Sequence, residues 1–434
     1  MSNTWQTQLL GEHCYVKARI GWRGLSASEY IDDGPYLVAG KHVEDGLIDW
    51  TACDHISEFR YRESSEIALA DGDVILTKDG TIGRVARVDR LPGKATINGT
   101  MMLLRPHATL HYRYLYHVLN GRGFKKLIDD KVSGSSIPHI FQRDVVTLPI
   151  SFPPIGQQRL LADILDTLDI AIRETEAIIE KLKPIKKGLL HDLLTRGIDE
   201  NGELRPPQNQ APHLYRQSPL GWVPAAWSVF GLSDVALPSR DVLKTGPFGS
   251  SLKGEHFRTS GRPVVTIGSL GASEFIEDAL LFISEATAHV LKDYELLPGD
   301  IAFSRVADVG RSVVVEEGQR GWIMSSNFMR ISVDCARVLP KFLQAVLAFD
   351  NRTKQQIRKT VNSAGRDVAN SEVLMGLRFP WPSIDEQQRI VDRVQRVHER
   401  ILLEQAQRGK LVNCKKGLMD DLLTGRVRVT PLLP

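Results

Sequence analysis

The sequence predicts an α+β protein assembled twice over. It is expected to hold two similar mixed modules, each followed by a long helix, with the two helices packing as an antiparallel coiled-coil spacer and a pseudo-two-fold internal repeat relating the halves. Three observations carry this. The segment 152–197, opening FPPIGQQRLLADILDTLDIAI and closing KLKPIKKGLLHDLLTRG, returns at 381–426 as WPSIDEQQRIVDRVQRVHERI and KLVNCKKGLMDDLLTGR, a period of about 229 residues. A second echo lies upstream, where LADGDVILTKDGTIGR (69–84) aligns without gaps to LLPGDIAFSRVADVGR (296–311). Third, Leu161, Leu165, Leu168, Ile172, Thr175, Ile179 and Leu182 follow a 4-3-4-3-4-3 spacing, the seam of a coiled coil with one polar residue near its centre.

In chain order, the first module carries short strand-like runs at 36–40, 73–77 and 82–88. Asp79-Gly80 between the last two marks a hairpin, because glycine supplies the positive φ of tight turns. A helix-like segment from His111 follows, containing Tyr112, Tyr114 and Tyr116, whose placement on an amphipathic face favours packing over base stacking. The first long helix, from Gln157 to Lys183, would span about 40 Å, and Pro184 should end or kink it. A polar, Pro-rich connector separates the halves. The second module repeats the design with runs at 263–268, 300–304 and 309–315 and a helix from Pro340. Its long helix has the seam Ile390, Val394, Val397 and Ile401, which then meets Glu404 and Arg408. Matching the QQR triplets pairs Gln157, Gln158 and Arg159 with Gln387, Gln388 and Arg389. The expected divisions are 1–155 and 222–383 for the modules, 156–197 and 384–430 for the helical regions, and 198–221 for the linker.

Composition narrows the class. With 42% apolar and 25% charged residues the chain reads as an ordinary globular protein. No apolar run approaches the roughly 20 residues of a spanning helix, so no membrane role is needed and a cytoplasmic location is expected. The four cysteines, at 14, 53, 335 and 414, lack the close pairing of a zinc site. There is no phosphate loop, no dinucleotide fingerprint and no H-E-x-x-H motif. Phe152-Pro153-Pro154-Ile155 shares two prolines with the amino-methyltransferase motif but lacks the polar residue that grips the amine. A net charge of +3 permits nucleic-acid binding without demanding it. No catalytic and no metal site is expected.

The paired helical regions, the hairpin motif at 72–83 and 299–310, and GPFGSSLKGEHFRTSGRPVVTIGSLG at 246–271 together resemble the specificity (S) subunits of type I restriction-modification systems, over essentially the whole chain. The first module lacks the GPFGSSL element, which suggests two modules of different sequence preference. The resemblance implies a non-catalytic subunit that binds double-stranded DNA. Each module would read one half of a bipartite asymmetric site in the major groove. The helices would set the half-site spacing and assemble two modification (methyltransferase) subunits and two restriction (translocase/nuclease) subunits. Cofactors would belong to those partners: S-adenosylmethionine, ATP and Mg²⁺. A stand-alone or decoy protein that sequesters modification subunits, and a specificity subunit of a related type II system, are the alternative readings.

Loop residues able to grip bases or phosphates are the candidate DNA contacts: Arg19, Arg23, Lys78, Thr81, Arg84, Ser250, Ser251, Lys253, Arg305 and Arg311. Lys186, Lys187, Lys415 and Lys416 would face either DNA or a partner subunit.

Overall fold

The computed structural model describes residues 5–18, 25–132, 139–249, 251–271, 274–306, 309–363 and 368–429. The chain divides into two units, Met1–Ala177 with Glu404–Pro434, and Ile178–Leu403.

The first module contains β1 (Cys14–Ala18), β2 (Ile31–Val38), β3 (Val74–Thr77), β4 (Val85–Arg87), β5 (Ala95–Ile97) and β6 (Met101–Pro106). Four of these form an antiparallel sheet in the order β1-β6-β3-β4. The pairing of β2 with β5 is parallel and joins strands far apart in the chain. All four residues of β3 are buried, because both sheet faces are covered. Val74 and Leu76 join a cluster with Leu115, Leu161 and Leu422, while Ile75 joins another with Val38, Ile97 and Leu103. The first face is covered by α1 (Tyr112–Leu119), on which Tyr114 and Tyr116 are buried; the Tyr114 hydroxyl donates to the Ser151 carbonyl at 2.8 Å. These tyrosines are core residues, the packing role favoured by the sequence.

The first long helix is α2 (Ile155–Thr195). The second module repeats the sheet with β7 (Leu243–Thr245), β8 (Arg262–Val265), β9 (Ile301–Ser304), β10 (Ser312–Val314), β11 (Ile323–Met324) and β12 (Phe328–Ile331). Its antiparallel order β7-β12-β9-β10 copies the first module, and β8 pairs with β11 in parallel as β2 does with β5. Helix α3 (Pro340–Phe349) corresponds to α1, and α4 (Ile384–Leu422) is the second long helix.

Each unit therefore combines one module, the first half of the helix that follows it, and the second half of the other helix. In both units the paired segments are antiparallel. Glu176 pairs with Arg408 at 2.5 Å and Asp169 with Lys415 in the first unit; Lys186 meets His398 at 3.1 Å in the second. The seam is buried at Leu161, Leu165, Ile179, Ile390 and Ile401 and half-buried at Leu168, Ile172, Leu182, Val394 and Val397. Glu404 and Arg408 do not break α4: Glu404 is buried, and Arg408 is absorbed by the ion pair with Glu176.

Three expectations are corrected. Helix α2 runs on through Pro184 to Thr195, 41 residues in all, so the proline does not end it. Proline removes one N–H and crowds the preceding turn, and the burial of Leu190, Leu193 and Leu194 in the second core holds the later turns against that cost. The segment after α2 is folded onto the second unit: Ile198 N–H donates to Glu386, Arg205 grips both Glu386 oxygens, and Tyr215–Ser218 pairs with Gly221–Pro224. The QQR triplets are out of register by one residue. Gln158 and Gln387 are the true equivalents, since each donates to the proline carbonyl five residues back and accepts a backbone N–H, from His111 and Leu339 respectively. Gln157 then corresponds to Glu386, and each accepts an indole N–H, from Trp5 and Trp227.

Candidate nucleic-acid interface

Sheet topology gathers the candidate residues. In the first module β1 and β3 finish, and β6 and β4 begin, at one end of the sheet, as the registers Ala18↔Met102, Thr77↔Met101 and Leu76↔Val85 require. The second module does the same, with Thr245↔Met329, Ser304↔Phe328 and Phe303↔Ser312. Thr245 thus occupies the place of Ala18. Both modules present this strand end, the β3–β4 or β9–β10 hairpin, and a third segment that returns to the hairpin.

That return is built identically in both copies. Lys78 N–H donates to Thr100 O at 2.9 Å, and the Lys78 carbonyl accepts from Ile140 N–H at 3.1 Å. Arg305 N–H donates to Asn327 O at 3.0 Å, and its carbonyl accepts from Ala369 N–H at 2.8 Å. At the opposite end of each hairpin a buried aspartate closes the preceding turn. Asp73 accepts from Ala70 N–H, and Asp300 from Leu297 N–H. The guanidinium on that carboxylate comes from different places, Arg105 in one copy and Arg240 in the other. The duplicated backbone is therefore held by the same bonds, while its side chains are free to differ.

The candidate side chains divide. Lys78 is buried and spent on Asp79 at 2.8 Å, whose other oxygen contacts His139. Arg84 and Arg311 are equivalents that each reach a backbone carbonyl of their own module, Val43 and Ile267, both at 3.4 Å. Arg305 is half-buried and donates from Nε to Ala369 O. Thr81, Ser251 and Lys253 are exposed, with Lys253 near Glu255. Arg19, Arg23 and Ser250 lie outside the described residues. Lys186 and Lys415 turn toward His398 and Asp169 of their own units; Lys187 and Lys416 remain exposed. Sequence reasoning missed His139, Phe141 and Phe248 at this end, because isolated loop aromatics carry no periodic signal.

In the first unit a polar network ties the module to α2. Asp166 accepts from Arg87 at 2.6 Å, from His117 at 2.8 Å and from Arg113 at 3.0 Å. Burial pushes the His117 imidazole below its ordinary value. Burial alone would raise the Asp166 carboxyl, but His117 and the two guanidiniums outweigh it and bring it down to about 2. His117, Asp166 and Asp169 bring three potential metal-ligand atoms within 4.8 Å. Arg87, Arg113 and Lys415 already pair with these two carboxylates, so cationic side chains stand where a metal would.

This geometry defines a duplicated scaffold that presents different loops from two equivalent sheet ends. The family model described as type I restriction modification DNA specificity domain matches residues 25–184 and 225–413, and the chain belongs to that family. It is 23% identical to the type I restriction enzyme MjaVIII specificity subunit of Methanocaldococcus jannaschii, over 92% of this chain and 87% of that protein. It is 21% identical to the EcoKI specificity subunit of Escherichia coli, over 87% and 78%. The fold matches the crystal structure of a type I restriction-modification S subunit from M. genitalium with a TM-score of 0.57 and 14% identity, covering 97% of this chain and 96% of that one. Among the described residues no helix is long and apolar enough to cross a membrane.

Proposed function

We propose that this chain, as a DNA specificity subunit, reads a bipartite and asymmetric site, each module engaging one half-site in the major groove through the sheet end that carries its hairpin and loops. The observation that carries this is the pairing of an identical hydrogen-bonded frame with different loop side chains in the two modules. Helices α2 and α4 set the distance between half-sites and hold the partner subunits. Ile170, Ile178 and Ile185 on α2, with Leu402 and Leu403 on α4, leave apolar surface exposed for that purpose. The chain contributes no chemistry of its own. Two modification subunits methylate adenine with S-adenosylmethionine, two restriction subunits use ATP and Mg²⁺, and the assembly works in the cytoplasm.

Co-expression with the modification subunit, followed by sequencing that maps methylated adenines, tests the reading. A bipartite asymmetric motif with a fixed spacer, dependent on this chain, is the expected result. A stable complex that methylates nothing would favour the decoy alternative, and methylation by the purified chain alone would refute a non-catalytic role.

A further inference from the structure

Phe248 is 82% exposed, the highest value for a large apolar side chain among the described residues. Single exposed apolar residues are common on protein surfaces; the mounting of this one is not. Gly246 N–H donates to Phe328 O at 2.9 Å, and a side chain at Gly246 would meet the Ser325 carbonyl at 2.1 Å, so the loop leaves β7 pressed against the turn between β11 and β12. Pro247 is buried, and Ser251 N–H donates back to Phe248 O at 2.8 Å. A seated proline and a closed turn thus hold an aromatic ring out into solvent, although burial would favour it. The ring stands at the same sheet end as Arg305 and the exposed Ser251 and Lys253.

The first module has an exposed aromatic at its equivalent end, mounted differently. Phe141 is 45% exposed, follows the Ile140 that bonds the hairpin, and carries the Arg143 guanidinium 4.7 Å above its ring. Next to it, the Gln142 side chain accepts from Ala18 N–H at the end of β1.

We propose that Phe248 and Phe141 are specificity-determining residues, each reading a base pair of its module's half-site by apolar contact with the C5-methyl group of a thymine. The major groove presents that methyl only at A·T pairs, and an apolar side chain is the group that distinguishes it. This inference rests on the DNA-reading role proposed above.

The test uses the full chain co-expressed with the modification subunit. If the wild-type chain directs no methylation, the specificity reading itself fails. Once a wild-type motif is mapped, Phe248→Ala should relax one T·A position in one half-site and Phe141→Ala one T·A position in the other. Replacing that thymine with deoxyuridine, which lacks only the methyl, should weaken wild-type binding about tenfold and leave the matching variant unaffected. An unchanged motif, relaxation at a G·C position, or equal deoxyuridine sensitivity of wild type and variant would overturn the proposal. Should Phe248→Ala abolish methylation while still co-purifying with the modification subunit, Phe248→Leu decides. Methylation restored with one relaxed position supports the contact, and continued silence refutes it.

Discussion

Replacing Asp166 with asparagine should destabilise the first unit at neutral pH and flatten its acid sensitivity. The carboxylate holds Arg87, His117 and Arg113, with Asp163 beside Arg113 and the Asp169–Lys415 pair close by. Its folded value of about 2 lies below the ordinary 3.8. A group held down in this way stabilises the fold above its unfolded value and loses that contribution as pH falls through the folded one, here about 2 kcal/mol lost between roughly pH 4 and pH 2. His117 acts in the same direction. Its fold favours the neutral ring, so its contribution is complete above the ordinary 6.5 and declines as pH drops below it. Asparagine removes the charge that Arg87 and Arg113 share, while each keeps a second carboxylate, Asp89 and Asp163, so the loss at pH 7 is the carboxylate's own contribution, about 2 kcal/mol. Urea unfolding at several pH values, followed by pulsed hydrogen exchange of peptides covering 112–119 and 155–177, reports this unit separately. A wild-type and variant stability difference that stays constant from pH 7 to pH 2 would refute the argument.

Glu386→Gln copies the residue that the first repeat uses at the equivalent place, Gln157, but strands Arg205. It should cost the second unit about 3 kcal/mol, and adding Arg205→Met should recover most of the loss in hydrogen exchange of 384–403. Deleting one heptad from both α2 and α4 should change the spacer in the methylation motif while both half-site sequences persist; an unchanged spacer would refute the ruler role. Cys14 and Cys53 are buried, and burial pushes both thiols up to about 12, whereas Cys335 and Cys414 are exposed. A thiol reagent at pH 8 should therefore modify two of the four cysteines in the folded chain and all four after unfolding.

The duplication, the hairpins and the helical seams were readable in the sequence because each is a local or periodic pattern. The parallel β2–β5 pair was not, since its partners are far apart in the chain and no local signal joins them. Pro184 misled because its local penalty is real but is overruled by the core around Leu193. The QQR match slipped because two adjacent glutamines permit two alignments, and only the bonds of Gln158 and Gln387 distinguish them. Arginines were sought on the hairpins, yet loop position does not reveal that Arg84 and Arg311 reach back to their own backbone. The Asp166 network left no trace in sequence, because its residues come from β4, α1 and α2 and none is unusual alone.

The exchange of helix halves bears on how the protein is made. The second unit is one continuous stretch ending at Leu403, so it can close as soon as that stretch has left the ribosome. The first unit cannot: Leu161 waits for Leu422, and Asp169 waits for Lys415. The module synthesised first is thus the last to be completed. A message cut short before those final turns yields a chain whose first unit lacks Leu422 and Lys415, leaving one face of α2 uncovered. The closing residues of α4 thus decide whether the module made first is ever complete.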